Sequence, residues 1–172
     1  MDLDPDRHRA EALADALGAP TGPVLVVGAA PAAWTGTLRD RWPGAHLIEA
    51  VADPHGDAPA ERALRSLERA DARDVDEVVV VLPSAWRDGD CVGLIAAATS
   101  RLRAGGALST VVTAPDGSSG NGGARPASTY LRWLIHCGLR EVAALDLEAS
   151  GVTGVRGRID AFDDRPNRTG TP

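Results

Sequence analysis

The stretch VLVVG at residues 24–28 gives the first indication of the fold. Four consecutive aliphatic residues without polar alternation are typical of a strand that is buried on both faces. A longer run of the same kind, EVVVVL at residues 77–82, ends at Pro83. Because strands of this kind need cover on both sides, they predict a mainly parallel sheet between two layers of helices.

The segments around these two strands alternate between helical and extended patterns. Asp4 is the predicted N-cap of a first helix, with Pro5 as its first residue and Gly18 as its end. Further helices are predicted over 34–42, 58–72, 91–102 and 129–137, with a strand around 63–66 left open. Further strands are predicted at 46–51, 107–112, 141–147 and 152–162, the last two as a closing hairpin.

Several finer features follow from the same patterns. The helix over 91–102 is expected to bury Val92, Ile95, Ala96 and Leu102 and to end at the glycine pair 105–106. Residues 53–57 are predicted as a turn, and residues 115–126 as a glycine-rich loop. We expect three parts in the chain: an N-terminal helix at 1–19, one domain at 20–162 and a disordered tail at 163–172.

Composition excludes several classes of function. The chain has 172 residues with a net charge of −6, and all 18 basic residues are arginine. The absence of lysine excludes a Walker phosphate loop and lysine Schiff-base chemistry, and the acidic charge argues against a nucleic-acid partner. There is neither a signal-peptide pattern nor an apolar run long enough to span a membrane, so we expect a cytoplasmic protein.

The cysteines and histidines do not indicate a metal site. Cys91 and Cys137 are far apart in the chain, and each lies in an apolar helical pattern. They are predicted to be reduced thiols that pack as small hydrophobic residues. No C-x-x-C or H-E-x-x-H spacing is present, so no metal ligand is predicted.

Three segments together resemble the class I S-adenosylmethionine-dependent methyltransferases. VLVVGAAPAAWT at 24–35 is similar to the first motif of that family, which often reads V-L-D-V-G-C-G-P-G-A-W-T. LRAGGAL at 102–108 resembles L-x-P-G-G-x-L, and LIHCGLREV at 134–142 resembles L-x-x-A-G-F-x-x-V. The resemblance covers residues 22–162 in order. It implies a Rossmann-like fold with a mainly parallel sheet of seven strands, or six, and a C-terminal antiparallel hairpin.

The resemblance also implies where a cofactor would bind, and several of those positions have changed. Gly28 is kept, but Ala29, Ala30 and Ala32 replace other small residues of the loop, two of which are usually glycine. Glycine serves there because it has no Cβ and tolerates a positive φ. The acidic residue usual in the first strand is replaced by Val26.

The carboxylate that would hold the ribose hydroxyls is displaced as well. Its position falls on Val51, while Glu49 and Asp53 lie two residues away on either side. Glu49 shares a strand face with Val51 because side chains repeat every second residue. By resemblance, the cofactor-binding positions are Gly28, Ala30, Glu49, Val51 and Pro83.

Each acidic or aromatic candidate at this site has a second interpretation. Glu49 is either a ligand for a ribose-like group or a solvated charge on the strand, and Asp53, before Pro54, either binds a ligand or begins a turn. Trp34 either stacks on a ligand or packs a helix on the sheet.

Other candidates follow the strand that ends at Pro83. Ser84, Trp86 and Asp88 either contact a ligand or form a helix start capped by Asp88 or Asp90. The Asn/Asp-Pro-Pro-aromatic signature of amino-directed methyltransferases is absent there. His136 is considered as a general base because histidine titrates near neutral pH, whereas His46 begins a strand at the far end from the expected site. No catalytic residue is assigned.

Two functions remain open, and a third is disfavoured. In the first, the chain is a methyltransferase-like pseudoenzyme with a degraded S-adenosylmethionine site, acting as a non-catalytic or cofactor-independent partner subunit, pathway protein or homo-oligomer. In the second, it is an active, divergent methyltransferase on a large or partner-enclosed substrate, with Glu49 holding the ribose. A plain dinucleotide-binding module is disfavoured because the G-x-G-x-x-G pattern is absent.

Overall fold

The computed structural model describes residues 4–53, 57–113, 125–147 and 152–161. Helices and strands alternate along these residues, as predicted. The helices are α1 (Pro5–Leu17), α2 (Ala32–Arg41), α3 (Pro59–Arg69), α4 (Asp88–Thr99) and α5 (Ala127–His136). The strands are β1 (Val24–Ala29), β2 (Leu47–Ala52), β3 (Val75–Pro83), β4 (Leu102–Thr113), β5 (Arg140–Leu145) and β6 (Thr153–Arg158).

The described residues form one six-stranded sheet in the order β2-β1-β3-β4-β6-β5. Strands β1 to β4 are parallel, and β6 is antiparallel to both β4 and β5, so the predicted C-terminal hairpin is confirmed. The chain leaves β1 toward β2 on one side and returns to β3 on the other. In open sheets of this kind, ligands bind beyond the carboxyl ends of the strands at such a switch point.

Two apolar layers cover the sheet. On one face, α1 and α2 pack against residues such as Val26, Val79 and Val111. On the opposite face, α3, α4 and α5 cover residues such as Val78 and Val80. Every side chain of β1 is buried, which is why its sequence shows no polar alternation.

The first helix begins as the sequence predicts. Asp4 is the N-cap, and its carboxylate accepts a hydrogen bond from the Asp6 backbone N–H at 3.1 Å. Pro5 occupies the first helical position, and Gly18 ends the helix with φ 71°. Ala10, Leu13 and Ala14 form its buried face.

The helix predicted over 58–72 is confirmed without the strand left open inside it, and three local predictions around α4 were wrong. Residues 63–66 lie in α3 rather than in a strand. The helix α4 ends at Thr99, and the pair Gly105–Gly106 lies inside β4, where the register with β3 shifts between Val75 and Glu77. Tertiary pairing thus overrides the tendency of a glycine pair to stop a helix.

The start and the buried face of α4 also differ from the prediction. Arg87, not Asp88 or Asp90, is the N-cap, and both aspartates lie in the first turn, where their charge stabilises the helix dipole. Ile95 is buried as predicted and Leu102 is buried at the start of β4, whereas Ala96 is exposed and Val92 is half-buried; the other buried residues of α4 are Cys91, Leu94, Ala98 and Thr99. The predicted loop at 115–126, except for its last two residues, and the tail at 163–172 lie outside the described residues.

Candidate functional site

Gly28 is the most constrained residue at the carboxyl edge of the sheet. It lies between Val51 of β2 and Val81 of β3 in register, and its φ is +106°. A Cβ at this position would lie 2.0 Å from the Val81 carbonyl oxygen, a distance that no side chain tolerates. The strand packing therefore requires glycine here, with or without a ligand.

The other loop positions at this edge are apolar and largely covered. Val26 is fully buried, and Ala30 is only 5% exposed. Val51 is half-buried and packs against the apolar cluster under α1 and α2. Gly28 of β1 and Val51 of β2 are thus neighbours in register, Ala30 follows directly after β1, and the side chains at these three positions carry no hydrogen-bonding group.

Glu49 is held on the face of the sheet that carries α2. It pairs in register with Val26, which places it about 6–7 Å back along β2 from Val51. Its carboxylate forms an ion pair with the Arg39 guanidinium of α2. Asp53, in contrast, directly follows β2 and is exposed.

The turn after β3 is tied down by an arginine that the sequence analysis did not single out. Arg125 donates to the carbonyl oxygens of Ser84 at 3.3 Å and Trp86 at 2.7 Å, and it forms an ion pair with Asp88 at 2.5 Å. Its guanidinium also lies 5.5 Å from the centre of the Trp133 ring. Because Arg125 comes from a segment with no apolar periodicity, no sequence pattern indicated this role.

These contacts support a structural role for the turn, although the helix that follows is capped by Arg87 rather than by Asp88 or Asp90. Trp86 is 7% exposed and packs in the core under α4. Ser84 donates its backbone N–H to Thr113 at 2.9 Å, which joins the ends of β3 and β4 just beyond Pro83. The turn is therefore a structured connection whose polar groups are largely engaged by the protein itself.

The remaining candidates are also accounted for by packing or exposure. Trp34 is fully buried in the apolar cluster of α1 and α2, so it packs the helix on the sheet. His136 is exposed at the end of α5, and His46 is exposed before β2, where its carbonyl accepts from the Val24 N–H at 3.0 Å. Both cysteines are free, and burial raises the pKa of the Cys91 thiol to about 11, so it is not a nucleophile at neutral pH.

A charged cluster that the sequence analysis missed lies at the opposite, amino edge of the sheet. Glu77 of β3 is 6% exposed and accepts a hydrogen bond from the Ser109 hydroxyl at 3.0 Å. Arg156 of β6 donates to its other carboxylate oxygen at 2.6 Å. Burial raises the pKa of Glu77, although Arg156 and Ser109 oppose that shift. In the sequence, Glu77 directly precedes the apolar residues 78–82, and a carboxylate in that place was the available signal of a buried charge.

Two classes of site have no support in the part of the chain that the structure covers. Among residues 4–53, 57–113, 125–147 and 152–161, no three His, Cys, Asp or Glu side chains are grouped to hold a metal ion. No helix in those ranges is both long and apolar enough to cross a bilayer.

Comparison with known proteins identifies the fold. No protein-family model matches the chain, and neither does any curated protein. Among solved structures, a candidate O-methyltransferase from Nostoc punctiforme superposes with a TM-score of 0.58 at 13% identity, covering 90% of this chain. This chain spans only 56% of the length of that protein.

Two further solved structures of similar fold contain S-adenosylhomocysteine or S-adenosylmethionine (SAM). The 1,6-didemethyltoxoflavin-N1-methyltransferase of Burkholderia thailandensis, with bound S-adenosylhomocysteine, has a TM-score of 0.55 at 16% identity and covers 92% of this chain and 80% of its own. A geranyl diphosphate methyltransferase in complex with SAM has the same TM-score and identity, with 90% and 85% covered. The chain therefore has the Rossmann-like fold of class I methyltransferases, as the sequence resemblance implied.

Proposed function

We propose that this chain is a non-catalytic methyltransferase-fold protein that has lost tight binding of S-adenosylmethionine. It acts as a partner subunit, for an active homologue or for a second copy of itself, in the cytoplasm. The observation that carries the proposal is the carboxyl edge of the sheet, where Gly28, Ala30 and Val51 offer methyl groups and a close-packed backbone.

Within β2, the acidic residue nearest the ribose position is already engaged. Glu49 lies one side-chain repeat back from Val51, and its charge is already balanced by Arg39. To bind a ribose it would have to give up that partner and move toward the strand end. The residues at the site thus fit S-adenosylmethionine poorly.

The free energies of the lost contacts predict a large decrease in affinity for S-adenosylmethionine. A hydrogen bond to a charged group contributes about 1.5–3 kcal/mol. Loss of the ribose carboxylate, together with added methyl groups at the tight approach, costs about 3–6 kcal/mol in total. That corresponds to a loss of roughly a hundredfold to ten-thousandfold in affinity, which turns a micromolar site into one that is empty at ordinary cofactor concentrations.

The test is a calorimetric titration of the full chain with S-adenosylhomocysteine, with a thermal-shift measurement beside it. We expect no heat of binding and no rise in Tm at micromolar ligand, because only a ligand that binds the native state appreciably at that concentration stabilises it. A dissociation constant in the micromolar range would overturn the proposal.

An active, divergent methyltransferase is the second candidate. It is favoured by Asp53, an exposed carboxylate directly after β2, and by the cofactor-bound neighbours of the same fold. Catalysis would then rest mainly on alignment of the substrate with the sulfonium methyl group. Under this candidate, Asp53→Asn or Glu49→Gln weakens S-adenosylhomocysteine binding at least about tenfold, and the variant that does so identifies the ribose ligand.

A further inference from the structure

A half-open cavity of about 200 Å³ lies at the amino edge of the sheet, on the face that carries α1 and α2. The end of α1 at Leu17 and the following residues 18–21 form one wall, and Trp42 at the end of α2 forms another. Its floor is the sheet itself at Ala107 of β4. This is the opposite end of the strands from the methyltransferase-like site.

Strand register explains why a cavity forms here. Glu77, Ala107 and Arg158 are neighbours in one row across β3, β4 and β6. Neighbours in register project on the same face of a sheet, so the small side chain of Ala107 lies between two long charged ones. The hollow above Ala107 is therefore a consequence of the sequence at three paired positions.

The charges around the cavity do not cancel. Arg156 is paired with Glu77, and Arg103 is paired with Asp76. Arg158 lines the same cavity and forms no ion pair within 4 Å among the residues that the structure describes, although its charge also interacts at longer range with that of Glu77. The lining thus carries three guanidinium groups against two carboxylates, and the excess positive charge is on Arg158.

We propose that this cavity binds a small oxyanion of the carboxylate or phosphate class, with Arg158 as the principal contact. A guanidinium presents a planar fork of N–H donors that matches the two oxygens of such a group. The volume is below the range of about 300–1,000 Å³ of pockets for drug-sized ligands, which favours an anion of a few heavy atoms. Glu77 does not oppose it strongly, because its carboxylate is already engaged by Arg156 and Ser109.

The experiment titrates the full chain with inorganic phosphate, with malonate, and with chloride at matched ionic strength. Binding is followed by calorimetry and by amide chemical shifts of Gly105 and Ala107, which lie at the cavity. We expect saturable binding of phosphate or malonate in the millimolar range or tighter, and none of chloride. Tighter binding of phosphate than of malonate indicates a phosphate ligand, and the reverse indicates a carboxylate ligand.

Two variants of equal charge change locate the binding. Arg158→Gln removes the unpaired guanidinium and is expected to weaken binding at least about tenfold. Arg65→Gln removes an exposed arginine of α3, on the other face of the sheet, and is expected to leave binding unchanged. No saturable binding of either oxyanion, or equal binding by the Arg158 variant, would overturn the proposal. The result is independent of S-adenosylhomocysteine binding, since the two sites lie at opposite ends of the sheet.

Discussion

The two edges of the sheet are built from opposite kinds of residues. At the carboxyl edge, where proteins of this fold place their ligands, Gly28 and Ala30 are covered and uncharged. At the amino edge, Glu77 and Arg156 are held together inside the protein beside a cavity. The fold is thus retained with a buried ion pair at the amino edge, whereas the charges of the carboxyl edge, Asp53 and the Arg125–Asp88 pair, lie outside the covered strand ends, so fold and site have to be argued separately.

The largest effect that tests this contrast is expected at Gly28. In Gly28→Ala, the new Cβ collides with the Val81 carbonyl, and the backbone must leave its positive φ, so unfolding free energy falls by more than about 3 kcal/mol. Urea-induced unfolding of the variant and of wild type measures this loss of stability. Gly36→Ala in α2 is the matched control: no atom lies within 4 Å of its Cβ, and the change is expected to be neutral or to stabilise by up to about 1 kcal/mol. Equal stability of Gly28→Ala and wild type would show that the edge is not close-packed.

The next effect concerns the amino edge and depends on pH. Arg156→Met leaves the Glu77 carboxylate buried without its counter-charge and is expected to cost about 3 kcal/mol at neutral pH. Because burial raises the pKa of Glu77, its stabilising contribution is present at low pH and is lost as pH rises through that pKa.

The variant removes a charge that lowers this pKa, so its instability relative to wild type should grow from acidic to neutral pH. Unfolding free energies measured across that range check the trend, with Arg65→Gln as a surface control. A stability difference that is constant with pH would mean that Arg156 does not shift the pKa of Glu77.

The smallest effect is a gain of function at the carboxyl edge. Val51→Asp combined with Ala30→Gly restores a carboxylate and removes a methyl group at positions beside Gly28. One recovered hydrogen-bonded charge contributes about 1.5–3 kcal/mol, so S-adenosylhomocysteine affinity should rise roughly ten- to a hundredfold. The double variant Val51→Asn with Ala30→Gly carries a side chain of nearly the same shape without the charge, so it shows how much of the gain in affinity depends on the charge. Failure of both variants to bind would locate the obstacle elsewhere in the pocket.

The helices and strands of the fold could be predicted where the sequence signal was local. The runs at 24–28 and 77–82 predicted buried parallel strands because each contains four or five consecutive aliphatic residues, and Asp4, Pro5 and Gly18 delimited α1 correctly. The start of β4 could not be predicted, because Gly105 and Gly106 give the pattern of a helix end, and only the pairing of Leu102 and Ala107 with β3 on either side of them makes them part of a strand.

The side-chain partnerships could not be predicted for a different reason. Glu49 and Arg39 are ten residues apart, Arg125 and Ser84 forty-one, and Arg156 and Glu77 seventy-nine. Contacts of such separation depend on strand order and crossing, which no local periodicity encodes. Gly28 was predicted as a cofactor position, and the structure adds a packing reason for it that the sequence alone did not reveal.

The burial of Cys91 gives this protein an internal reporter of motion. With 1% of its surface exposed and a thiol pKa of about 11, this residue reacts with alkylating reagents only when α4 separates from the sheet. Its modification rate, read separately from that of the half-buried Cys137, therefore measures how often that helix opens in the native state.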